Sequence, residues 1–258
     1  MPEPDVDLLS RVVREAGAIA RTIFDRPCET WDKKDGSPVT EADLAVNEYL
    51  REHLCAARPD YAWLSEESED QPWRFTANRI FVVDPIDGTR AFVRRLPQFA
   101  VSIAVLERER PIAATIYNPM TDECFTAAAR EGARLNGAPI RVGSRESLEG
   151  CRMLASAAAL SHPRWAPWPA MHVENPISIA YRAALIAGGT FDAALTMGRL
   201  HDWDLAAADL IVREAGGHIT AVDGAALRYN KLDAVQPPVL VAAPRLHAVI
   251  RSRLGPRQ

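Results

Sequence analysis

The segment from Ile80 to Thr89 joins an apolar run to two carboxylates, and chemistry is most strongly indicated there. Four apolar residues that favour β-structure lead directly into Asp84-Pro85-Ile86-Asp87-Gly88-Thr89. The proline stiffens the turn after the strand, and the glycine allows the backbone to approach a ligand closely. The pattern therefore places Asp84 and Asp87 at the end of a buried strand. Proline, aspartate and glycine are also ordinary turn residues, so a plain turn is the alternative.

Two further segments carry carboxylates at the ends of predicted elements. Glu66 and Glu67 follow a short strand predicted from Tyr61 to Leu64, and Asp202 and Asp204 open a predicted helix. Taken singly, the glutamates fit a solvated acidic loop and the aspartates fit helix caps. If the segments meet, their carboxylates repel one another unless a hard cation lies among them. The pattern therefore predicts a site for Mg²⁺ or Mn²⁺.

Such a site suits the hydrolysis of a phosphate ester. Two divalent ions close together can hold both the attacking and the leaving oxygen of a phosphoryl transfer. A short helix predicted after Gly88 would direct its first amides at a phosphate oxygen. The hydroxyl of Thr89 could orient the attacking water if Asp43 or Glu67 accepted its proton. Asp43 also completes the capping box that begins at Thr40, which gives it a purely structural alternative.

The remaining pattern predicts the elements that must position these residues. Apolar residues at helical spacing predict a helix from about Asp7 to Phe24, and the capping box opens a second helix that reaches about Ala57. The segment from Trp31 to Pro38 is polar and rich in turn formers, so we expect an exposed loop. Three apolar runs and the pair Asn136-Gly137 predict an antiparallel meander and one more hairpin. The runs are Phe99 to Leu106, Pro111 to Tyr117 and Glu123 to Ala129.

The pattern changes after the polar stretch from Gly143 to Gly150, where strands begin to alternate with helices. We therefore expect an N-terminal α+β domain over residues 1–145, with an antiparallel sheet and most of the proposed metal ligands. A C-terminal α/β domain over residues 146–258 would contribute Asp204 and residues of the substrate pocket. A helix from about Pro176 should end at Gly188-Gly189, which suits a left-handed cap. The loop from His162 to Pro169 has no predictable shape.

Composition limits the classes of protein that the chain can represent. Its 258 residues are 48% hydrophobic, which is enough for a sizeable core. A net charge of −4 argues against a nucleic-acid polymer or an anionic membrane as partner. The four cysteines show no CxxC pair, so neither a zinc site nor a disulfide framework is indicated. Without a signal-peptide pattern or an apolar stretch of membrane-spanning length, we expect a cytoplasmic protein.

Three motifs in this order resemble the inositol monophosphatase superfamily, whose members are Mg²⁺-dependent, lithium-sensitive phosphatases. The residues from Asp84 to Thr89 are similar to its central signature, and Ser65-Glu66-Glu67-Ser68 is similar to its upstream acidic pair. The segment from Trp203 to Gly217 resembles its C-terminal signature. The similarity covers essentially the whole chain. It implies an α/β (α+β) fold, namely a layered αβαβα sandwich of the fructose-1,6-bisphosphatase and inositol monophosphatase type, and commonly a homodimer.

The resemblance also implies the ligands of the metal. Glu66, Asp84 and the carbonyl of Ile86 would hold one Mg²⁺, while Asp84, Asp87 and Asp204 would hold another. Asp84 would bridge the two ions, and the site as a whole would bind two or three.

The remaining roles follow from the same resemblance. Thr89 and Asp43 would position and deprotonate the water, with Glu67 close by. The amides of Gly88 and Thr89 would receive the phosphate.

Substrate choice is where the sequence departs from the animal inositol enzymes of this superfamily. Those enzymes carry an inositol-binding glutamate seven positions before the last metal aspartate, and here Met197 occupies that position. Arg90 follows Thr89 where those enzymes have another threonine, which is closer to bacterial 3'(2'),5'-bisphosphate nucleotidases. Arg90, Arg94 and Arg95 add positive charge near this motif and are expected to help bind a second phosphate, with a surface role as the alternative. We expect a small phosphate ester as substrate, first a 3'(2'),5'-bisphosphate nucleotide, then inositol monophosphate, then histidinol phosphate. A non-catalytic regulatory protein of the same fold is the alternative class.

Overall fold

The structure, a computed structural model, describes residues 3–34, 36–163 and 165–255. Its helices and strands form five layers, in which two sheets alternate with three layers of helix. The helices are α1 (Asp5–Phe24), α2 (Glu41–Ala57), α3 (Thr89–Val93), α4 (Ala157–Leu160), α5 (Ile179–Ala187), α6 (Asp202–Glu214) and α7 (Pro244–Leu254), with a 3-10 helix at Pro72–Phe75. The strands are β1 (Thr30–Asp32), β2 (Pro38–Thr40), β3 (Ala62–Ser65), β4 (Arg79–Asp87), β5 (Ala100–Glu107), β6 (Arg110–Asn118), β7 (Glu123–Ala128), β8 (Ala133–Leu135), β9 (Ala138–Ile140), β10 (Arg152–Ala155), β11 (His172–Glu174), β12 (Ala193–Thr196), β13 (Leu200–His201), β14 (His218–Ala221), β15 (Val235–Gln236) and β16 (Val239–Ala242).

The first large sheet has seven strands in the order β3 to β9. Strand β4 pairs with β3 in parallel, and the other neighbours pair in antiparallel fashion. Both faces of β4 are buried, and its side chains alternate between them. Phe81 and Val83 pack towards α1 and α2, whereas Ile80 and Val82 pack towards the central helices. A strand covered on both faces reads as a continuous apolar run, which explains the sequence before Asp84.

Helices α5 and α6 form the central layer between the two large sheets. Helix α6 packs on β4, β5 and β6 on one side and on β14 on the other. Its Ala206, Ala207 and Ala208 are at most 1% exposed, so the helix presents small side chains to its neighbours. Burial on both sides explains why this helix is apolar around most of its circumference.

The second large sheet has five strands in the order β11, β10, β12, β16 and β14. Strands β11, β10 and β12 are parallel, and β16 is antiparallel to β12 and β14. The far face of this sheet is covered by Leu246, Ile250 and Leu254 of α7. The order helix, sheet, helix, sheet, helix confirms the predicted αβαβα sandwich.

Most of the predicted elements are confirmed within one to three residues. The hairpin at Asn136-Gly137 joins β8 to β9, and both residues have positive φ, 49° and 84°. The C-terminal cap of α5 is also confirmed, with Gly189 at φ 74°. The division at residue 145 stays a prediction. Helices from the second half pack on the sheet of the first half.

One prediction was wrong. The segment from Trp31 to Pro38 is not entirely loop, because β1 and β2 pair as an antiparallel hairpin. All three residues of β1 are exposed, so no alternation of apolar and polar residues marks it as a strand. In the loop from His162 to Pro169, residue 164 lies outside the described residues, and the described ones form no regular element.

No helix among the described residues is both long and apolar enough to cross a membrane. Cys28, Cys55, Cys124 and Cys151 are all free thiols.

Candidate metal centre and active site

Three carboxylates meet where β4 ends against the start of α6. One oxygen from each of Asp84, Asp87 and Asp204 lies within 4.8 Å of the other two. Asp84 and Asp87 are buried, and Asp204 is partly exposed. The convergence brings together the two segments that the sequence singled out on either side of residue 145.

The end of β4 is shaped to present both aspartates. The pairing of β4 with β5 is irregular between Asp84 and Asp87, and the amide of Ile86 donates to Asp84 Oδ1 at 3.1 Å. Gly88 then adopts φ 99°, and a Cβ there would lie 3.1 Å from the carbonyl of Gln98 and 3.2 Å from Ser178. Only glycine meets both the backbone conformation and the close approach.

The N-terminus of α5 fixes the orientation of Asp87. The Ser178 hydroxyl donates to Asp87 Oδ2 at 2.5 Å, as does the amide of Ala180, and the amide of Ile179 donates to Oδ1 at 3.2 Å. Asp87 thus accepts amides that an isolated helix leaves without partners. The sequence analysis missed Ser178. A serine before an apolar helical segment is a signal for an N-cap, but nothing in the sequence connects it to Asp87.

Asp204 and Asp202 have separate roles. Asp204 Oδ2 accepts the amide of His201 at 2.6 Å, so it caps α6 while its carboxylate also reaches Asp84 and Asp87 of β4. Asp202 is fully buried and lies outside this group. It accepts from the Gln236 side chain at 2.5 Å and from the amide of Asn230 at 2.7 Å, so its role is structural.

The electrostatics of the cluster show strong mutual repulsion. Burial raises the pKa of Asp84 well above its usual range, and the negative charges of Glu66, Asp87 and Asp204 add to this. Burial and the charge of Asp204 raise the pKa of Asp87 to about 7, although its bonds from α5 oppose the shift. Raised pKa values of this kind show that the surrounding protein alone does not balance the negative charge of these carboxylates.

Lys33, in the β1–β2 hairpin, brings a positive charge to the acidic pair Glu66 and Glu67. Its ammonium lies 2.7 Å from Glu66 Oε1 and 2.6 Å from Glu67 Oε1. Burial alone would lower the pKa of Lys33, but the two glutamates outweigh it and raise the pKa. Burial raises the pKa of Glu67 to about 7 against the influence of Lys33. The sequence analysis gave Lys33 no role, because it assigned the segment to an exposed loop.

Asp43 caps α2 and also contacts Thr89. Its Oδ2 accepts from the amide and hydroxyl of Thr40, which completes the capping box of α2. Its Oδ1 accepts from the hydroxyl of Thr89 at 3.0 Å, and that hydroxyl also lies 3.1 Å from the carbonyl of Ile86. Burial raises the pKa of Asp43 to about 6. The structural and functional interpretations are therefore compatible in one carboxylate.

The residues predicted to contact substrate lie in two places. Arg90 is exposed on α3, directly after Thr89. Met197 follows β12, is half-buried and packs against the core between the second sheet and α7. Arg95 is engaged elsewhere, because it donates to the carbonyl of Arg26 and lies over the ring of Phe24.

Arg182 is a further residue that the sequence did not indicate. It is 7% exposed on α5, and it donates to the carbonyl of Pro176 at 2.5 Å and to Asn175 Oδ1 at 2.6 Å. These bonds hold the segment that carries Ser178. Burial lowers the pKa of Arg182, and the charge of Asp87 acts in the opposite direction.

The donor set fits a hard divalent cation. All three converging groups are carboxylates, which are ligands that Mg²⁺ prefers, and no nitrogen or sulfur ligand lies among them. A cation between them would also remove the repulsion that raises the pKa of Asp84 and Asp87.

Known proteins show the same combination of fold and sequence. The chain matches the Inositol monophosphatase family over residues 2–254. A Nus factor SuhB from Pasteurella multocida is 31% identical over 265 residues, covering 98% of this chain and 96% of the relative. An inositol-1-monophosphatase from Rhizobium meliloti is 34% identical over 195 residues, covering 72% of this chain and 73% of the relative. The structure of a Thermotoga maritima IMPase has a TM-score of 0.84 at 26% identity and covers 97% of this chain and 96% of its own.

A five-layered αβαβα fold with a carboxylate cluster at a strand end defines the class of this protein. The chain belongs to the inositol monophosphatase family. Membership supports phosphatase activity, and the family generally uses Mg²⁺.

Proposed function

We propose that the chain is a Mg²⁺-dependent phosphomonoesterase that hydrolyses a small phosphate ester. The observation that carries this proposal is the convergence of Asp84, Asp87 and Asp204 to within 4.8 Å. These three residues, together with Glu66 and the carbonyl of Ile86, would hold two or three Mg²⁺ ions, and Mn²⁺ is chemically acceptable in their place. When bound, such ions neutralise phosphate oxygens and make an attacking water more acidic.

The chain's own residues supply the proton path and the phosphate contacts. The Thr89 hydroxyl would orient the attacking water and accept its hydrogen bond, because Thr89 itself donates to Asp43. Asp43, with a pKa of about 6, would then be a base of suitable strength near neutral pH. Glu67 lies beside Glu66 and would tune the charge of the site. The amides of Gly88 and Thr89 would bind the phosphate.

Two substrate classes follow from different observations. Met197 in place of a glutamate, and Arg90 after Thr89, favour a 3'(2'),5'-bisphosphate nucleotide, because an arginine can bind a second phosphate. The name of the Rhizobium meliloti relative, inositol-1-monophosphatase, favours inositol monophosphate. Histidinol phosphate is the third choice.

Phosphate release measured with malachite green would test the proposal. Purified protein is assayed with the three substrates, with Mg²⁺ and with EDTA, and lithium is added as an inhibitor. We expect Mg²⁺-dependent release from at least one substrate. Release that persists in EDTA would contradict the metal-dependent mechanism.

A regulatory protein of the same fold is the second candidate function. The observation that favours it is the relative named Nus factor SuhB, which matches 98% of this chain. Failure of purified protein to release phosphate from any of the three esters would support this candidate. We further propose a homodimer in the cytoplasm with no nucleic-acid polymer as partner, and sedimentation of the purified protein would test the dimer.

A further inference from the structure

A second cleft lies at the other end of α6, away from the metal centre. Its volume is about 810 Å³, and it opens between the β5–β6 turn, the end of β7, the last turns of α6 and the segment from Ala226 to Tyr229. Asp204 lies in the first turn of the helix and Glu214 is its last residue. The ten residues of α-helix between these positions span roughly 15 Å. The cleft is therefore separate from the carboxylate cluster. Its volume falls within the range of small-molecule sites.

The cleft contains four guanidinium groups, most of which are unpaired as far as the described residues show. Within the described parts of the chain, the side chains of Arg110, Arg130 and Arg228 form no hydrogen bond or ion pair. All three are exposed. The fourth, Arg213, donates through Nε to Asp209, which leaves its terminal nitrogens available.

The carboxylates of the cleft, by contrast, are mostly engaged. Glu107 pairs with Arg79 at 3.0 Å, outside the cleft. Glu214 accepts the amides of Arg130 and Gly132 at 2.8 and 2.9 Å. Glu109 alone has no partner among the described residues. The formal charges of the residues that line the cleft balance. Because most of the carboxylates are engaged, however, the groups left to bind a ligand are mainly guanidinium donors.

The side chain of Arg213 is held in place by buried residues at the base of the cleft. Asp209 is 2% exposed, and the fully buried Tyr229 lies beside it. A buried carboxylate that holds one edge of a guanidinium leaves the other edge oriented for a planar anion. Pro111, Leu210 and Leu227 form an apolar floor of the cleft, which suits the organic part of a ligand and not an inorganic ion.

We propose that this cleft binds a small organic phosphate that carries at least two negative charges. The guanidinium groups of Arg213, Arg130, Arg228 and Arg110 would contact its phosphates, and the apolar floor would contact its organic part. The site is independent of the metal centre and of the reaction proposed there.

Calorimetric titration of the full-length protein with pyrophosphate and with ADP would test the proposal. The titration is done in EDTA, so that the carboxylate cluster without a cation repels both probes. We expect binding of both, with ADP binding more tightly because of the apolar floor. Replacing Arg130→Gln and Arg228→Gln together should weaken ADP binding at least about tenfold, since each change removes charge-assisted hydrogen bonds.

The side chains of these two arginines form no hydrogen bond or ion pair with the described residues, so their replacement should leave the fold intact. The matched control is the pair Arg21→Gln and Arg51→Gln, which are exposed arginines on α1 and α2, and it should bind ADP as the unchanged protein does. Absence of binding to either probe would overturn the proposal. An equal loss of ADP binding in both double variants would also overturn it. Binding of an acidic peptide but of neither phosphate probe would overturn it as well.

Discussion

The ammonium of Lys33 lies 2.6 Å from Glu67 and 2.7 Å from Glu66, so one side chain from the β1–β2 hairpin bridges the acidic pair at the end of β3. If Glu66 is a metal ligand, as proposed, the lysine and the cation compete for the same carboxylate. The hairpin is therefore coupled to occupancy of the site.

Replacing Lys33→Met should strengthen Mg²⁺ binding and weaken the metal-free fold. Removal of a competing positive charge lowers the Mg²⁺ concentration for half-maximal activity several-fold. The metal-free protein should lose about 1 to 2 kcal/mol of unfolding free energy, because two partly buried glutamates lose their partner. Urea unfolding in EDTA and Mg²⁺ titration of activity would measure the two effects. Lys34→Met, at an exposed neighbour, is the control.

Asp84→Asn should abolish activity and stabilise the metal-free protein. Burial raises the pKa of Asp84, and four other carboxylates raise it further. Loss of its charge should reduce phosphate release at least about 100-fold, or about 3 kcal/mol in the barrier. The unfolding free energy in EDTA should rise by about 1 to 2 kcal/mol as the repulsion disappears.

Asp87→Asn should also lose activity while it keeps the fold. Its carboxylate accepts three donors from α5, and an amide oxygen can still accept part of them. Circular dichroism would establish the fold beside the activity assay. Full activity in this variant would refute the proposed metal role.

Ser178→Ala should weaken metal binding without a comparable loss of stability. The Ser178 hydroxyl orients Asp87, and loss of such an outer hydrogen bond typically costs about 10- to 100-fold in metal affinity or activity. Direct titration with Mn²⁺ would measure binding apart from turnover. Ser156→Ala is a matched control, because Ser156 caps α4 through a similar bond to Ala159 and should leave Mn²⁺ binding unchanged.

The metal-free protein should become less stable as pH rises from about 4 to about 7. Folding raises the pKa of Asp43 to about 6, and of Glu67 and Asp87 to about 7, from ordinary values of 3.8 and 4.5. Below about pH 4 both the folded and unfolded chains hold these protons; between the two sets of values only the folded chain does. Its advantage is therefore lost as pH rises. Urea unfolding across this range in EDTA should show the decline, and saturating Mg²⁺ should flatten it.

Much of the fold could be predicted from the sequence because its signals are local. The capping box at Thr40, the apolar periods of α1 and β4, and the Asn136-Gly137 turn each specify an element without distant contacts. The carboxylate cluster could be predicted because carboxylates stand at the ends of several elements, where their charges repel one another unless a cation binds them. The residues that were missed act at long range. Ser178 meets Asp87 across 91 positions, and Lys33 reaches Glu67 from a hairpin whose first strand is fully exposed.

The triple alanine of α6 has a consequence for the reacting centre. Asp204 stands on α6, whereas Asp84 and Asp87 stand on β4, which packs against this helix. The side chains of Ala206, Ala207 and Ala208 are buried between α6 and its neighbours. The small size of these three side chains therefore determines how closely Asp204 approaches the two aspartates of β4. A single methylene added to one of them would push α6 away from its neighbours. The distance between the carboxylates would then increase, although none of the three aspartates had been changed.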